Sequence, residues 1–97
     1  MLTRIVRMTF KETSVADFLE MFYNKKDKIG NFPGCKHLVL LKDADIPNTF
    51  MTYSIWENEA ALERYRKSAL FKETWATTKK WFAEKPIAFS AEEVHFD

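Results

Sequence analysis

An α+β fold with one antiparallel sheet is what this chain predicts, and three observations predict it. Four stretches read as strands: Leu2 to Phe10, Cys35 to Lys42, Thr49 to Trp56 and Phe89 to Phe96. Two longer stretches between them keep apolar residues at helical spacing, so the order is β-α-β-β-α-β. Gly30 and Pro33-Gly34, the Asp43 to Asn48 segment and Pro86 sit where turns are needed to separate those pieces.

The first strand alternates Leu2/Arg4/Val6/Met8/Phe10 against Thr3/Ile5/Arg7/Thr9, the period of a pleated backbone. Ser14-Val-Ala-Asp17 resembles a capping box, a hydroxyl with a carboxylate three residues on, and opens the first helix. Val15, Phe18, Leu19, Phe22 and Ile29 form its apolar stripe, with Glu20, Lys25 and Lys28 outward. Gly30 and Pro33-Gly34 stop that helix and turn the chain into the second strand. The centre of that strand, Leu38-Val-Leu-Leu41, is apolar without alternation. The segment from Asp43 to Asn48 is a hairpin loop leading into the third strand. Asn58 is the expected N-cap of the second helix, with Glu59 favouring its dipole. Ala61, Leu62, Tyr65 and Ala69 form the buried stripe, and Phe71, Trp75, Thr78 and Phe82 continue it after a bend near Ser68. This is the split β-α-β, or ferredoxin-like, arrangement in a single domain spanning residues 1–97.

Two helices cover only one face of such a sheet. Yet Ile5 beside Val6, the Leu38–Leu41 run and Met51/Tyr53/Ile55 put apolar bulk on both faces. A second copy of the same sheet is the simplest cover, so a face-to-face homodimer is expected.

Composition narrows the function. Fifteen Lys and Arg against fourteen Asp and Glu give a net charge of +1, with the signs interleaved, which argues against a nucleic-acid or anionic-membrane partner. Cys35 is the single cysteine, so no internal disulfide forms and a reducing, cytoplasmic setting is expected. The N-terminal strand pattern does not resemble a signal peptide, and no apolar run reaches membrane-spanning length. Glycine-rich phosphate loops and serine-nucleophile elbows are absent from the sequence.

Nine Phe, three Trp and three Tyr are a high aromatic share for 97 residues, and many cluster late in the chain. The Phe32-Pro-Gly34 turn, Trp56 followed by Glu59-Ala-Ala-Leu62, and Ser68-Ala-Leu-Phe71, read as the end of that helix, resemble the antibiotic biosynthesis monooxygenase family. The resemblance covers nearly the whole chain and implies a dimeric α+β barrel. It also implies a cofactor-independent oxygenase of a small aromatic or quinol-like substrate, with no metal or flavin.

The haem-degrading branch of the family resembles this chain through Asp17 to Tyr23 and Phe71 to Trp75. That branch uses an Asn, a Trp and an iron-ligating His where Val6, Tyr65 and Trp75 stand here. Valine cannot hydrogen-bond to bound oxygen and tryptophan cannot ligate iron, so haem degradation by that route is not expected.

Within the resemblance, Val6, Trp56, Tyr65 and Trp75 are the candidate substrate walls, although Trp56 at a strand end more often serves core packing and Tyr65 and Trp75 serve it equally well. Tyr53, expected on the same strand face as Trp56, offers a hydroxyl to orient a substrate oxygen. Tyr65 and His37 are the candidate catalytic residues, Tyr65 as donor and His37 as base. Alternation leaves open which face His37 occupies. His95 reads as surface or interface, and Cys35 as a small buried residue rather than a nucleophile. The Glu63-Arg-Tyr-Arg-Lys67 charges read as a solvated helix face. A non-catalytic ligand-binding or structural dimer of the same fold is the rival reading.

Overall fold

The computed structural model describes residues 1–96. Its strands are β1 (Leu2–Thr9), β2 (Cys35–Lys42), β3 (Thr49–Trp56) and β4 (Ile87–Glu92). Its helices are α1 (Val15–Gly30), α2 (Glu59–Arg66) and α3 (Ala69–Thr78), with 3-10 turns at Glu12–Ser14 and Lys79–Trp81. The strands lie in the order β2-β3-β1-β4, and each neighbouring pair is antiparallel. This is the expected ferredoxin-like α+β fold, with the second helical region divided in two.

Several boundaries moved for identifiable reasons. The final strand runs Ile87–Glu92, not Phe89 to Phe96. Its partner β1 begins at Leu2, which pairs with Glu92, so later residues have no backbone to pair with. Val94 and Phe96 are consequently exposed, and His95 lies outside the strand in the exposed tail. Ser14 makes no capping bond: a 3-10 turn leads into α1, and Ser14 is already in helical geometry rather than the extended shape a cap needs. Leu19 lies at the edge of the α1 stripe and is partly exposed.

Asn58 does cap α2, its side chain accepting from the Ala61 N–H at 2.9 Å. At Ser68 the chain does not merely bend. Ser68 is extended, and its hydroxyl donates to the Tyr65 carbonyl at 2.6 Å and accepts from the Phe71 N–H at 3.1 Å. One serine therefore closes α2 and opens α3. Because the helix restarts in a new direction, Ala69, expected in the buried stripe, is exposed.

Gly34 earns its place by two requirements. Its φ of 91° is a left-handed conformation, and a Cβ there would collide with Ala61 of α2. The backbone of the turn thus lies directly against the helix, and the Gly34 carbonyl accepts from the Glu57 N–H at 2.8 Å.

The helix-covered face of the sheet holds two clusters. Met8, Phe10, Phe18, Phe22 and Phe50 form one end. Leu2, Trp56, Ala61 and Leu62, with Phe32, Cys35 and Tyr65, form the other. None of the helices among the described residues is long and apolar enough to cross a membrane.

Candidate functional site

Between the two clusters the sheet is lined by smaller side chains, and this leaves a void. Register sets the rows of the floor: Arg4 beside Ser54 and Ser90, then Val6 beside Thr52 and Ala88. The flanking rows carry Leu2 with Trp56 and Met8 with Phe50. Large residues at both ends hold the helices off the short ones in the middle. The cavity that results has a volume of about 260 Å³. That lies just below the ~300–1,000 Å³ typical of small-molecule sites and suits a flat body of two or three fused rings.

The walls come from the helices. Trp56 and Tyr65 stack at 4.9 Å between ring centroids, Tyr65 meets Phe71 edge-on at 5.2 Å, and Phe71 stacks on Trp75 at 5.9 Å. Trp75 then meets Phe82 at 5.5 Å, and Phe82 meets Phe10 at 5.5 Å, so the aromatic series joins the two clusters. Val6, Trp56, Tyr65 and Trp75, all candidate substrate walls, line this one cavity. Val6, Tyr65 and Trp75, far apart in sequence, therefore converge here.

Two candidates fall elsewhere. Tyr53 lies three residues before Trp56, and an odd separation on a strand reverses the face. It therefore points to the helix-free side, together with its neighbour Ile5 and with Val39. His37 also lies there, its ring 6.2 Å from that of Tyr53 and edge-on to it. A β-bulge between Cys35 and His37 makes the difference. Cys35 packs with the Trp56 cluster, and the extra residue turns His37 to the opposite face. Neither residue lines the cavity, so His37 is not placed to act as its base.

Polar groups at the cavity are few and mostly committed. Trp56 is 1% exposed, and its Nε1 donates to Ser54 Oγ at 2.9 Å. Thr78 Oγ1 donates to the Thr74 carbonyl at 2.7 Å. The Thr74 hydroxyl, by contrast, is buried with no partner within the described residues. Burial, and then the nearby Cys35, push the Tyr65 phenol well above its ordinary range, so it stays protonated and can only be a donor or weak acceptor near neutrality. Among the described residues no His, Asp or Glu lines the cavity. No cluster of three His, Cys, Asp or Glu able to hold a metal occurs among the described residues.

Sequence reasoning missed Arg4 and Arg66. Both border the cavity and also an outer recess formed with Leu2, Glu59, Leu62, Glu63, Ser90, Ala91 and Glu92. Arg4 was visible as the one charge in an otherwise apolar strand set, whereas Arg66 was absorbed into the solvated helix face.

The family model for antibiotic biosynthesis monooxygenases matches residues 1–77. The chain belongs to that family. Among solved structures it is similar to an antibiotic biosynthesis monooxygenase at 19% identity, covering 98% of this chain and 100% of the other, with a TM-score of 0.91. A candidate antibiotic biosynthesis monooxygenase from Nitrosomonas europaea is similar at 20% identity and TM-score 0.89, covering 98% and 100%. A conserved protein from Methanosarcina mazei Go1 is similar at 16% identity and TM-score 0.90, covering 97% and 94%. At these identities the likeness to each structure establishes the fold. None of the curated proteins is similar enough to match.

Proposed function

We propose that this antibiotic biosynthesis monooxygenase family member is a cofactor-independent monooxygenase that takes a small aromatic or quinol-like molecule into the cavity. The observation that carries the reading is the cavity itself, an apolar space walled by Trp56, Tyr65, Phe71 and Trp75. In this chemistry the substrate loses a proton and the resulting anion reduces dioxygen. One oxygen atom becomes a carbonyl at a ring CH₂ carbon; the other leaves as water with that carbon's two hydrogens. The substrate is the reductant, so the atoms and electrons balance without a second donor. The protein contributes orientation, exclusion of water and charge stabilisation.

A panel of anthrone- and naphthoquinol-type compounds, incubated with the protein under air, tests this through oxygen uptake and product mass. Enzyme-dependent uptake with the carbonyl product is expected. Val6→Phe, which puts a ring into the cavity floor, should abolish it while changing stability by only about 1 kcal/mol. Lack of uptake across the panel would overturn the oxygenase reading.

A second reading, a non-catalytic binding module, has its own support: among the described residues no carboxylate or imidazole lines the cavity, and Tyr65 holds its proton. Saturable quenching of tryptophan fluorescence without oxygen uptake would establish it. In either case the working form is proposed to be a homodimer. The helix-free face carries Ile5, Val39, Met51 and Ile55, with Leu41, Ile87 and Phe89 more open still. A second copy of this face is self-complementary by symmetry. Sedimentation at micromolar concentration should give twice the chain mass. Ile5→Lys should shift it to one chain mass, because an unpaired charge buried in the seam costs several kcal/mol.

A further inference from the structure

The mouth of the cavity has an unusual charge arrangement. Arg4 projects from β1 on the helix-covered face, partly buried, and donates to Ser90 Oγ at 3.1 Å. Among the described residues it has no carboxylate within ion-pairing distance. The last residue of α2, Arg66, reaches the same cavity from above and pairs with Glu63 at 2.9 Å. Burial, and then the proximity of Arg66, lower the proton affinity of Arg4, with Glu63 opposing them. Glu59 and Glu92 stand in the outer recess alongside, where Arg4 pairs with neither. Two guanidiniums therefore border one apolar cavity, and among the described residues only Arg66 is ion-paired.

We propose that Arg4 and Arg66 form an anion subsite, so that the ligand is an oxyanion on a planar apolar body, an ionised carboxylate or an acidic phenol or enol. The charged oxygen sits between the guanidiniums, whose flat forks of N–H donors suit such an oxygen. The body extends over Val6 and Thr52 toward Trp75. The inference rests on the cavity reading given above and sharpens it in one respect. A cavity without a base can still favour the substrate anion if two fixed cations lower the substrate's own pKa on binding.

Binding is read by quenching of Trp56 and Trp75 fluorescence with naphthoate and with naphthamide, its neutral isostere. Naphthoate is expected to bind about tenfold or more tightly, and the preference should shrink as salt is raised. Arg4→Gln should remove the preference by weakening naphthoate far more than naphthamide. Arg66→Gln, at an exposed helix end, should reduce it and serves if the first variant fails to fold. The second arm uses para-nitrophenol, which absorbs as a yellow phenolate. Bound to the wild-type protein it should ionise at a pH lower by about one unit, a shift lost in Arg4→Gln. Yellow phenolate at lowered pH admits phenols and enols to the ligand class; naphthoate preference without that shift restricts the class to carboxylates. Equal binding of naphthoate and naphthamide overturns the anion subsite and leaves the cavity reading intact. Binding of neither probe overturns both.

Discussion

The two ends of the helix-covered layer are both built on aromatic rings and differ in what those rings leave unoccupied. At one end Phe10 is fully buried, stacked on Phe18 at 4.1 Å and flanked by Phe50 and Phe82. These side chains have no polar atom and need no partner. At the other end Trp56 and Tyr65 bring an N–H and an O–H into the interior, and the serine and arginine of the next row lie beside them. The phenylalanine end is closed around Phe10, with Phe18 and Phe22 also bordering the cavity; the tryptophan end opens through small residues to a charged mouth. The difference shows how one layer can divide its work. Phenylalanine fills one end around Phe10, while Phe18, Phe22 and Phe71 join the amphipathic rings Trp56, Tyr65 and Trp75 around the space where something can enter.

The largest expected effect tests the closed end. Phe10→Ala should lower stability by about 3–5 kcal/mol in chemical denaturation, the cost of a cavity in a packed core. Naphthamide affinity at the other end should be unchanged; a parallel loss would mean that the two ends are one cooperative unit. Gly34→Ala should follow, costing at least about 2 kcal/mol, because it adds left-handed strain to a collision with Ala61. Its melting temperature should fall well below that of Gly30→Ala, since nothing crowds Gly30.

Ser54→Ala should cost about 1–3 kcal/mol by leaving the buried Trp56 N–H without an acceptor. Tryptophan emission should report the changed surroundings, and an unchanged melting temperature would show that the N–H had found another partner. The smallest effect is Tyr65→Phe, nearly silent at neutral pH. An unfolded phenol ionises near pH 10, while burial holds the folded one protonated above that. Above pH 10 the native state therefore binds more protons than the unfolded state, and stability falls as pH rises. Tyr65→Phe should flatten that fall, leaving the part due to Cys35, whose thiol is also pushed up by burial. A slope at alkaline pH identical to the wild type would place Tyr65 in water rather than against Trp56.

Much of this architecture was legible in the residues. Asn58 announced its helix by placing a side-chain acceptor three residues before an orphan N–H, a local event that needs no tertiary context. Gly34 and Pro33 likewise marked the turn into β2. Ser14 looked like the same signal and was not, because its conformation is set by the 3-10 turn before it. Ser68 was read as a bend, and its double role appeared only when Tyr65 and Phe71 were seen on either side of it. The convergence of Trp56, Tyr65 and Trp75 was expected from the family resemblance, since these residues lie on a strand and on two separate helices. The placement of Tyr53 did not require a structure at all, since counting three residues along a strand already reverses the face.

By itself, then, the sequence determined the element order and the sheet type, because period, caps and turns are properties of neighbouring residues. The tertiary structure decided what depends on distant partners. The strand register matched Ser54, Thr52, Val6 and Ala88 into a floor of small residues, and this left room for a cavity. One extra residue between Cys35 and His37 removed the imidazole from that cavity. The same register, with α2 passing overhead, brought Arg4 and Arg66, sixty-two positions apart in sequence, to a single mouth. Register and crossing are set by packing over the whole chain, so no local pattern records them.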